Sequence, residues 1–260
     1  MKKRIFALFL SVLLLATVLC ACGDTKQEEA GGVGSDGTSS SGAVVDGGEM
    51  VVGIAQDLGD SLDPYQMTAA GTREVLFNIY EGLVKPNASG EYVPAVASDS
   101  TVSEDGLTYT FPLREGVLFH NGAAVTTDDV IYSFKTCAET TVDTALAEAL
   151  SSVKDITADG NTVTVTLKEA NPDFLSYVGM VYIVPADYTD EATSPVGTGP
   201  FKFVSRSVQE NLIVEKFADY WGEKAHLDKV TFKIYEDANA LMSALSAGSV
   251  DMAGHLTIDQ

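Results

Sequence analysis

The residues of this chain whose types could do chemistry are few and stand apart. The three histidines are His120, His226 and His255. None has a ligand-type partner four residues away, and no zinc-type spacing occurs anywhere. Each reads as a histidine satisfied by its surroundings. The string Asp105 to Gly122, DGLTYTFPLREGVLFHNG, gathers Arg114, Glu115 and His120. Its content is nonetheless structural: Asp105-Gly106 opens a strand, Gly116 closes it, and Asn121-Gly122 makes a second turn. Arg114 could pair with a neighbouring carboxylate. Val196 to Phe201, VGTGPF, lacks the Gly-Lys-Ser/Thr ending of a phosphate loop and the spacing of a dinucleotide loop. Its Gly197 and Gly199 are expected to let the backbone turn tightly. No nucleophile and base stand together in these strings. The expectation is a protein that is not an enzyme, with no catalytic residues, no cofactor and no metal.

Cysteine chemistry is confined to the start. Residues 1–22 read MKKRIFALFLSVLLLATVLCAC: a basic patch, an apolar run and a cysteine-bearing end. That is the three-part plan of an export signal. The run is short for a membrane-spanning helix, which needs about 20 apolar residues to cross roughly 30 Å of hydrocarbon. Leu19-Cys20-Ala21-Cys22 resembles a bacterial lipobox, which makes Cys22 the lipidation site and the new N-terminus after cleavage. Cys20 fits less well, because bulky Leu19 precedes it. An uncleaved anchor helix and an ordinary signal peptide without lipid are the alternatives. Acyl chains hold a protein on a bilayer surface at about 0.8 kcal/mol per buried methylene. The location expected is extracytoplasmic, tied to the cell membrane by an N-terminal lipid. Beyond the leader only Cys137 remains, so no intrachain disulfide is expected and stability must come from packing. Cys137 follows an apolar helical pattern and reads as a small buried hydrophobe.

The 260 residues carry 37 acidic and 16 basic side chains, for a net charge of −21. All the acidic ones lie beyond Cys22. Such a surface repels nucleic acid, so no nucleic-acid partner is expected. Residues 23–48 are rich in Gly, Ser, Asp and Glu and cannot offset the entropy of ordering a backbone. They read as a flexible linker.

The elements that must position any site follow. Met50 to Ala55 is a short apolar run that should be a buried strand. A polar loop, Gln56 to Pro64, leads to a helix from about Ala69 to Glu81, with Thr68 as a possible cap and Gly82 as its end. Leu107, Tyr109 and Phe111 alternate as in a half-buried strand. Thr126 to Thr140 is a helix capped by Thr126 or Thr127, with Asp128 and Asp129 in its first turn. Ser151 to Lys168 is a hairpin turning at Asp159-Gly160-Asn161. Phe201 and Phe203, Leu212 and Val214, and Val230, Phe232 and Ile234 mark three more strands. A helix from about Ala238 to Ala247 follows, capped by Asp237 and stopped by Gly248. Hairpins argue against an all-parallel sheet, so a mixed α/β or α+β body in more than one lobe is expected.

Several strings taken together are more specific. They are Ser61-Leu62-Asp63-Pro64 with Asn78-Ile79-Tyr80-Glu81-Gly82-Leu83-Val84; Tyr92-Val93-Pro94-Ala95-Val96-Ala97 leading into residues 103–122 and Thr127-Asp128-Asp129-Val130; Pro195 to Phe201; Asp219-Tyr220-Trp221-Gly222; and Ala247-Gly248-Ser249-Val250-Asp251. In order and spacing the chain resembles the extracytoplasmic solute-binding proteins of family 5, the peptide, dipeptide and nickel group of ABC importers.

The resemblance implies an α/β fold, a periplasmic-binding-protein-like type II lobe with an inserted α+β subdomain. It assigns 1–22 to the signal peptide, 23–48 to the linker, 49–83 and 190–250 to a discontinuous first lobe, and 84–189 to the inserted subdomain. Residues 251–260 would begin the crossover to a second lobe that is missing. Family members are longer, and the chain corresponds to their N-terminal half. The implied function is capture of an oligopeptide or dipeptide outside the membrane and delivery to ABC permease subunits. A nickel chelate or other small solute, and a lipid-anchored peptide sensor, are the alternatives. The loop after the first strand lies where open α/β sheets place ligands. Tyr65, Gln66 and Met67 are therefore the candidate ligand contacts, with Tyr80 as a weaker one that could pack beneath the loop. By the same likeness Trp221 is a packing residue in a surface turn.

Overall fold

The computed structural model of the chain describes residues 45–254. Cys22, the leader and most of the linker lie outside that range, as does His255. The first strand, β1 (Glu49–Ile54), forms as the apolar run requires. A loop then leads to α1 (Ala70–Leu76). This helix is shorter than its pattern predicts, and its cap is Ala69, with no side-chain bond, rather than exposed Thr68. The Asn78 amide donates to the carbonyls of Glu74 and Val75, which a further helical turn would need. The chain instead leaves by tight turns, with Ile79 and Tyr80 amides both reaching Leu76 O at 2.9 Å.

A short pair, β2 (Val84–Pro86) and β3 (Tyr92–Pro94), precedes β4 (Thr101–Val102) and β5 (Thr108–Pro112). Two helices follow, α2 (Thr127–Thr140) and α3 (Thr144–Ser151). A capping box closes the start of α2: the Asp129 amide donates to Thr126 Oγ1 and the Thr126 amide donates to Asp129 Oδ2. Next come β6 (Val153–Asp159), β7 (Thr162–Leu167) and the short α4 (Phe174–Val178). Beyond residue 200 lie β8 (Phe201–Ser207), β9 (Asn211–Lys216), β10 (Lys229–Ile234), α5 (Ala238–Ser246) and β11 (Met252–Gly254). The Asp237 side chain caps α5 by accepting from Ala240 N, and Gly248 follows its end at φ +69°.

Two larger sheets result. One has the order β11-β1-β10-β9-β8, with β1 parallel to both of its neighbours and the rest antiparallel. Glu49 faces Lys229 in that register, and their side chains form an ion pair at 2.5 Å. The other has the order β4-β5-β7-β6 and is antiparallel throughout. Mixed pairing agrees with the hairpin-rich sequence. Tyr109, Phe111, Val163, Val165 and Leu167 point inward from the second sheet, and Leu212, Val214, Val230 and Phe232 from the first. These side chains join one continuous apolar core with Phe134, Cys137 and Phe174. On its opposite face β1 meets α5 through Val51, Ala55, Leu241 and Val250. Contact there is so close that a Cβ on Gly53 would stand 2.2 Å from Leu241 Cδ1.

Candidate functional site

The parallel strands β1, β10 and β11 all run toward the same edge of their sheet. Residues 55–69 leave β1 at that edge, where an open α/β sheet offers backbone and side chains to a ligand. The loop is held firmly. Asp63 Oδ1 accepts from Tyr65 N at 2.8 Å, and Ser61 Oγ from Asp63 N at 3.1 Å. The Gly59 amide donates to Thr72 Oγ1 at 2.7 Å, tying the loop to α1. Leu62 N donates to Ala192 O at 2.9 Å, and the Arg206 guanidinium reaches Leu58 O at 3.2 Å. Three separate parts of the chain thus fix one loop.

Tyr65, Gln66 and Met67 are set into this frame. Tyr65 is buried; its hydroxyl donates to Tyr182 O at 2.6 Å and its carbonyl accepts from Val142 N at 3.1 Å. Burial pushes its phenol well above the usual tyrosine range. The Gln66 amide nitrogen donates to Thr140 O, at the end of α2. Met67 is buried beside Tyr65. The loop is thereby stapled to the α2–α3 turn, Thr141 to Asp143. Between them lies a recess of about 50 Å³, floored by Tyr65, Met67 and Leu146 and bordered by Arg73 and Asp143. Arg73 and Asp143 pair at 3.5 Å across the mouth, with their side chains 47% and 27% exposed. Asp143 also caps α3, accepting at Oδ1 from Ala145 N and Leu146 N. Neither side of this charged pair was evident from sequence; the α2–α3 turn that brings them together is a tertiary contact.

Tyr80 lies apart from that recess. Its ring is buried and its hydroxyl donates to Glu191 Oε2 at 2.5 Å. It borders a second cleft, of about 380 Å³, shared with Phe77, Glu81, Lys85, Tyr182 and Tyr220. Tyr182 borders both hollows. The polar groups of the larger cleft are consumed by one another. Buried Glu81 pairs with Lys85 Nζ at 2.7 Å and accepts from Tyr220 OH at 2.7 Å and from Trp221 Nε1 at 2.7 Å. The Tyr220 phenol is held above its usual range by burial and by the Glu81 charge. Glu81 is the residue the sequence reading passed over. The available signal was an acid inside the apolar string Ile79 to Val84.

Three sequence expectations gain a precise form here. Among the described residues Arg114 pairs with no carboxylate: its guanidinium donates to Ala95 O and Ala97 O and stacks 4.3 Å from the Trp221 ring. A planar cation satisfies carbonyls and an aromatic face at once. Trp221 is half-buried, packed against Tyr220 and bonded to Glu81. Gly197 and Gly199 adopt no positive φ, so a tight left-handed turn is not their purpose. A Cβ at Gly197 would stand 2.2 Å from Ile79 O, and one at Gly199 2.5 Å from Asn78 O. They are glycines because two backbones touch.

His120 packs against the same segment. Its Nδ1 accepts from Gly197 N at 3.2 Å and its Nε2 lies 3.0 Å from Gly199 O. Burial lowers its pKa to about 4. Burial also raises the Cys137 thiol to about 12, so it is no nucleophile at neutral pH. Among the described residues, no three His, Cys, Asp or Glu side chains stand together as a metal site would require.

Comparison with known proteins adds the lineage. Residues 91–260 match the family described as bacterial extracellular solute-binding proteins, family 5 middle. The oligopeptide-binding protein AppA of Bacillus subtilis is 28% identical over 269 residues, covering 96% of this chain and 48% of its own. The nickel-binding periplasmic protein of Escherichia coli is 30% identical over 184 residues, covering 67% of this chain and 35% of its own. Among solved structures, the periplasmic binding protein DppA of Helicobacter pylori in complex with the peptide STSA superposes with a TM-score of 0.75 at 31% identity. That match covers 83% of this chain and 48% of the other. The chain therefore spans less than half the length of these relatives, and its mixed sheet is of the periplasmic-binding-protein type II class.

Proposed function

Because the chain belongs to family 5 of the bacterial extracellular solute-binding proteins, we propose that it supplies one jaw of a passive receptor. That receptor captures an oligopeptide or dipeptide outside the membrane and hands it to ABC permease subunits. In this reading residues 49–83 and 190–250 are the first lobe and 84–189 the inserted subdomain. One observation carries the placement of the ligand. The β1–α1 loop is locked against the α2–α3 turn, and the recess between them has an apolar floor and a weakly held charge pair at its mouth. Small-ligand sites set a few convergent polar groups beside apolar side chains, and a recess of about 50 Å³ has room for one side chain or terminal group of a peptide.

In this reading Met67 and the ring of Tyr65 make the floor that a ligand meets. Gln66 holds the floor to α2, and Tyr80 braces it from behind. The exposed Arg73–Asp143 pair is worth about 0–1 kcal/mol to the fold, so a ligand carboxylate or ammonium can replace either partner at little cost. No bond is made or broken. Closure of a second jaw would bury the ligand and add contacts, which favours the closed state by its extra affinity. Peptide is favoured as ligand by the peptide-bound DppA structure and by AppA. Similarity to a nickel-binding relative sustains a chelated nickel ion as the second reading.

Amide hydrogen exchange tests the placement. Short unblocked peptides in excess should slow exchange in residues 57–68 and 141–146. Nickel–histidine chelate in place of peptide tests the second reading on the same amides. Protection confined to other segments would displace the site. The proposed anchor is tested separately: Cys22→Ser should abolish palmitate labelling and release the protein from membranes. Labelling at the wild-type level would refute Cys22 as the acylated residue.

A further inference from the structure

Glu191 is a buried acid that the ligand reading does not use. It lies on the segment 190–200, by which the chain passes from the four-stranded sheet to β8. The residue is 8% exposed, and both donors that reach it use a single oxygen. Tyr80 OH donates to Oε2 at 2.5 Å and Val196 N to Oε2 at 3.0 Å. Oε1 is buried without any partner, as is the hydroxyl of Thr198 on the same segment. Among the described residues no cation pairs with Glu191. The groups that face it are Tyr80 from the turn after α1, and Asp63 and Tyr65 from the β1–α1 loop. His120 accepts from the amide of Gly197, further along the segment. Nothing in that set compensates a negative charge.

The position is a joint. Leu62 N, in the β1–α1 loop, donates to Ala192 O beside Glu191, and the post-α1 turn meets the same segment through Tyr80 and Gly199 N→Ile79 O at 2.8 Å. We propose that Glu191 is a proton-operated latch on this joint: neutral, it holds the turn after α1 to the return segment through Tyr80, and ionised, it loosens the joint. A neutral carboxyl keeps both hydrogen bonds and leaves no charge in an apolar setting. An ionised one still accepts those bonds but adds an uncompensated buried charge, a cost relieved when the joint opens and water reaches the carboxylate. Burial accordingly pushes its pKa up to about 7, with the Tyr80 and Val196 bonds drawing it down and Asp63 pushing it further up.

The sign follows. A carboxyl whose folded pKa exceeds its unfolded value binds its proton more tightly when folded. Its contribution to stability is complete below the unfolded pKa and is lost as pH rises through about 7. His120, lowered to about 4, works in the opposite direction as pH falls below its unfolded value, and it cancels when wild type and a Glu191 variant are compared. The test uses the whole chain, wild type and Glu191→Gln, unfolded in denaturant from pH 5 to pH 8. Between those limits the wild-type folded-to-unfolded ratio should fall on the order of a hundredfold relative to the variant. The Gly199 amide, which donates to Ile79 O across the joint, should also exchange faster above pH 7 in the wild type alone, after correction for intrinsic base catalysis. A carbon-13 titration of the Glu191 carboxyl in the wild type stands independently of whether the variant folds, and its midpoint should lie near 7. A midpoint in the ordinary carboxylate range, or a wild-type-to-variant difference independent of pH, would overturn the latch.

Discussion

The two hollows beside Tyr182 differ in a way that volume does not reveal. The larger, about 380 Å³, is walled by Phe77, Tyr80, Glu81 and Tyr220, and its polar groups are bound to one another. The smaller, about 50 Å³, has an apolar floor and an exposed ion pair at 3.5 Å that a competing charge can open. A cleft whose donors and acceptors are already matched serves to hold parts of the fold together. A hollow whose charges are loosely matched leaves them open to a competing group, which is why the ligand is proposed there. The difference teaches that polar satisfaction, more than size, distinguishes the two hollows, and the proposed division into scaffold and site rests on it.

That contrast breaks most visibly at Glu81. Glu81→Ala leaves Tyr220 OH and Trp221 Nε1 without their acceptor and should cost about 2–5 kcal/mol, read as a lower denaturant midpoint with unchanged slope. A loss under about 1 kcal/mol would mean that the larger cleft is not structural. Next is Gly197→Ala, which drives a methyl toward the Ile79 carbonyl and should cost about 1–3 kcal/mol. Tolerance of that change would show that the two backbones can part.

The sequence made the alternating strands legible, because period-two burial is written directly into Tyr109-Thr110-Phe111 and Val163-Thr164-Val165. It also disclosed a threonine cap for α2, left open between Thr126 and Thr127, and the cap and stop of α5, all local chemistry. It likewise showed the polar loop that leaves β1 before α1. What it hid was partnership across long separations. Glu81 meets Tyr220 and Trp221 about 140 residues away, Arg114 turns to carbonyls and an indole rather than to a carboxylate, and Arg73 meets Asp143 only because α2 folds back. The purpose of Gly197 and Gly199 was hidden for the same reason, since the turn-like string is in fact a close backbone contact.

Smaller effects belong to the proposed site. Tyr65→Phe removes the bond to Tyr182 O and should cost about 0.5–1.5 kcal/mol, a modest fall in melting temperature. An unchanged melting temperature would show that this bond does not brace the floor. Arg73→Ala should change stability by less than about 1 kcal/mol, while weakening whatever peptide protection the wild type shows. Full protection in this variant would remove Arg73 from the ligand contacts.

The central claim is that the ligand lies in the smaller hollow. Its most direct test is photo-crosslinking of the whole chain with a short unblocked peptide carrying a photoreactive side chain, followed by mapping of the adducts by mass spectrometry. Adducts should concentrate on Met67, Arg73 and residues 141–146, and should be competed away by unlabelled peptide. Competable adducts concentrated instead on Phe77, Lys85 or Tyr220 would contradict the account, because they would place the ligand in the cleft assigned to the scaffold.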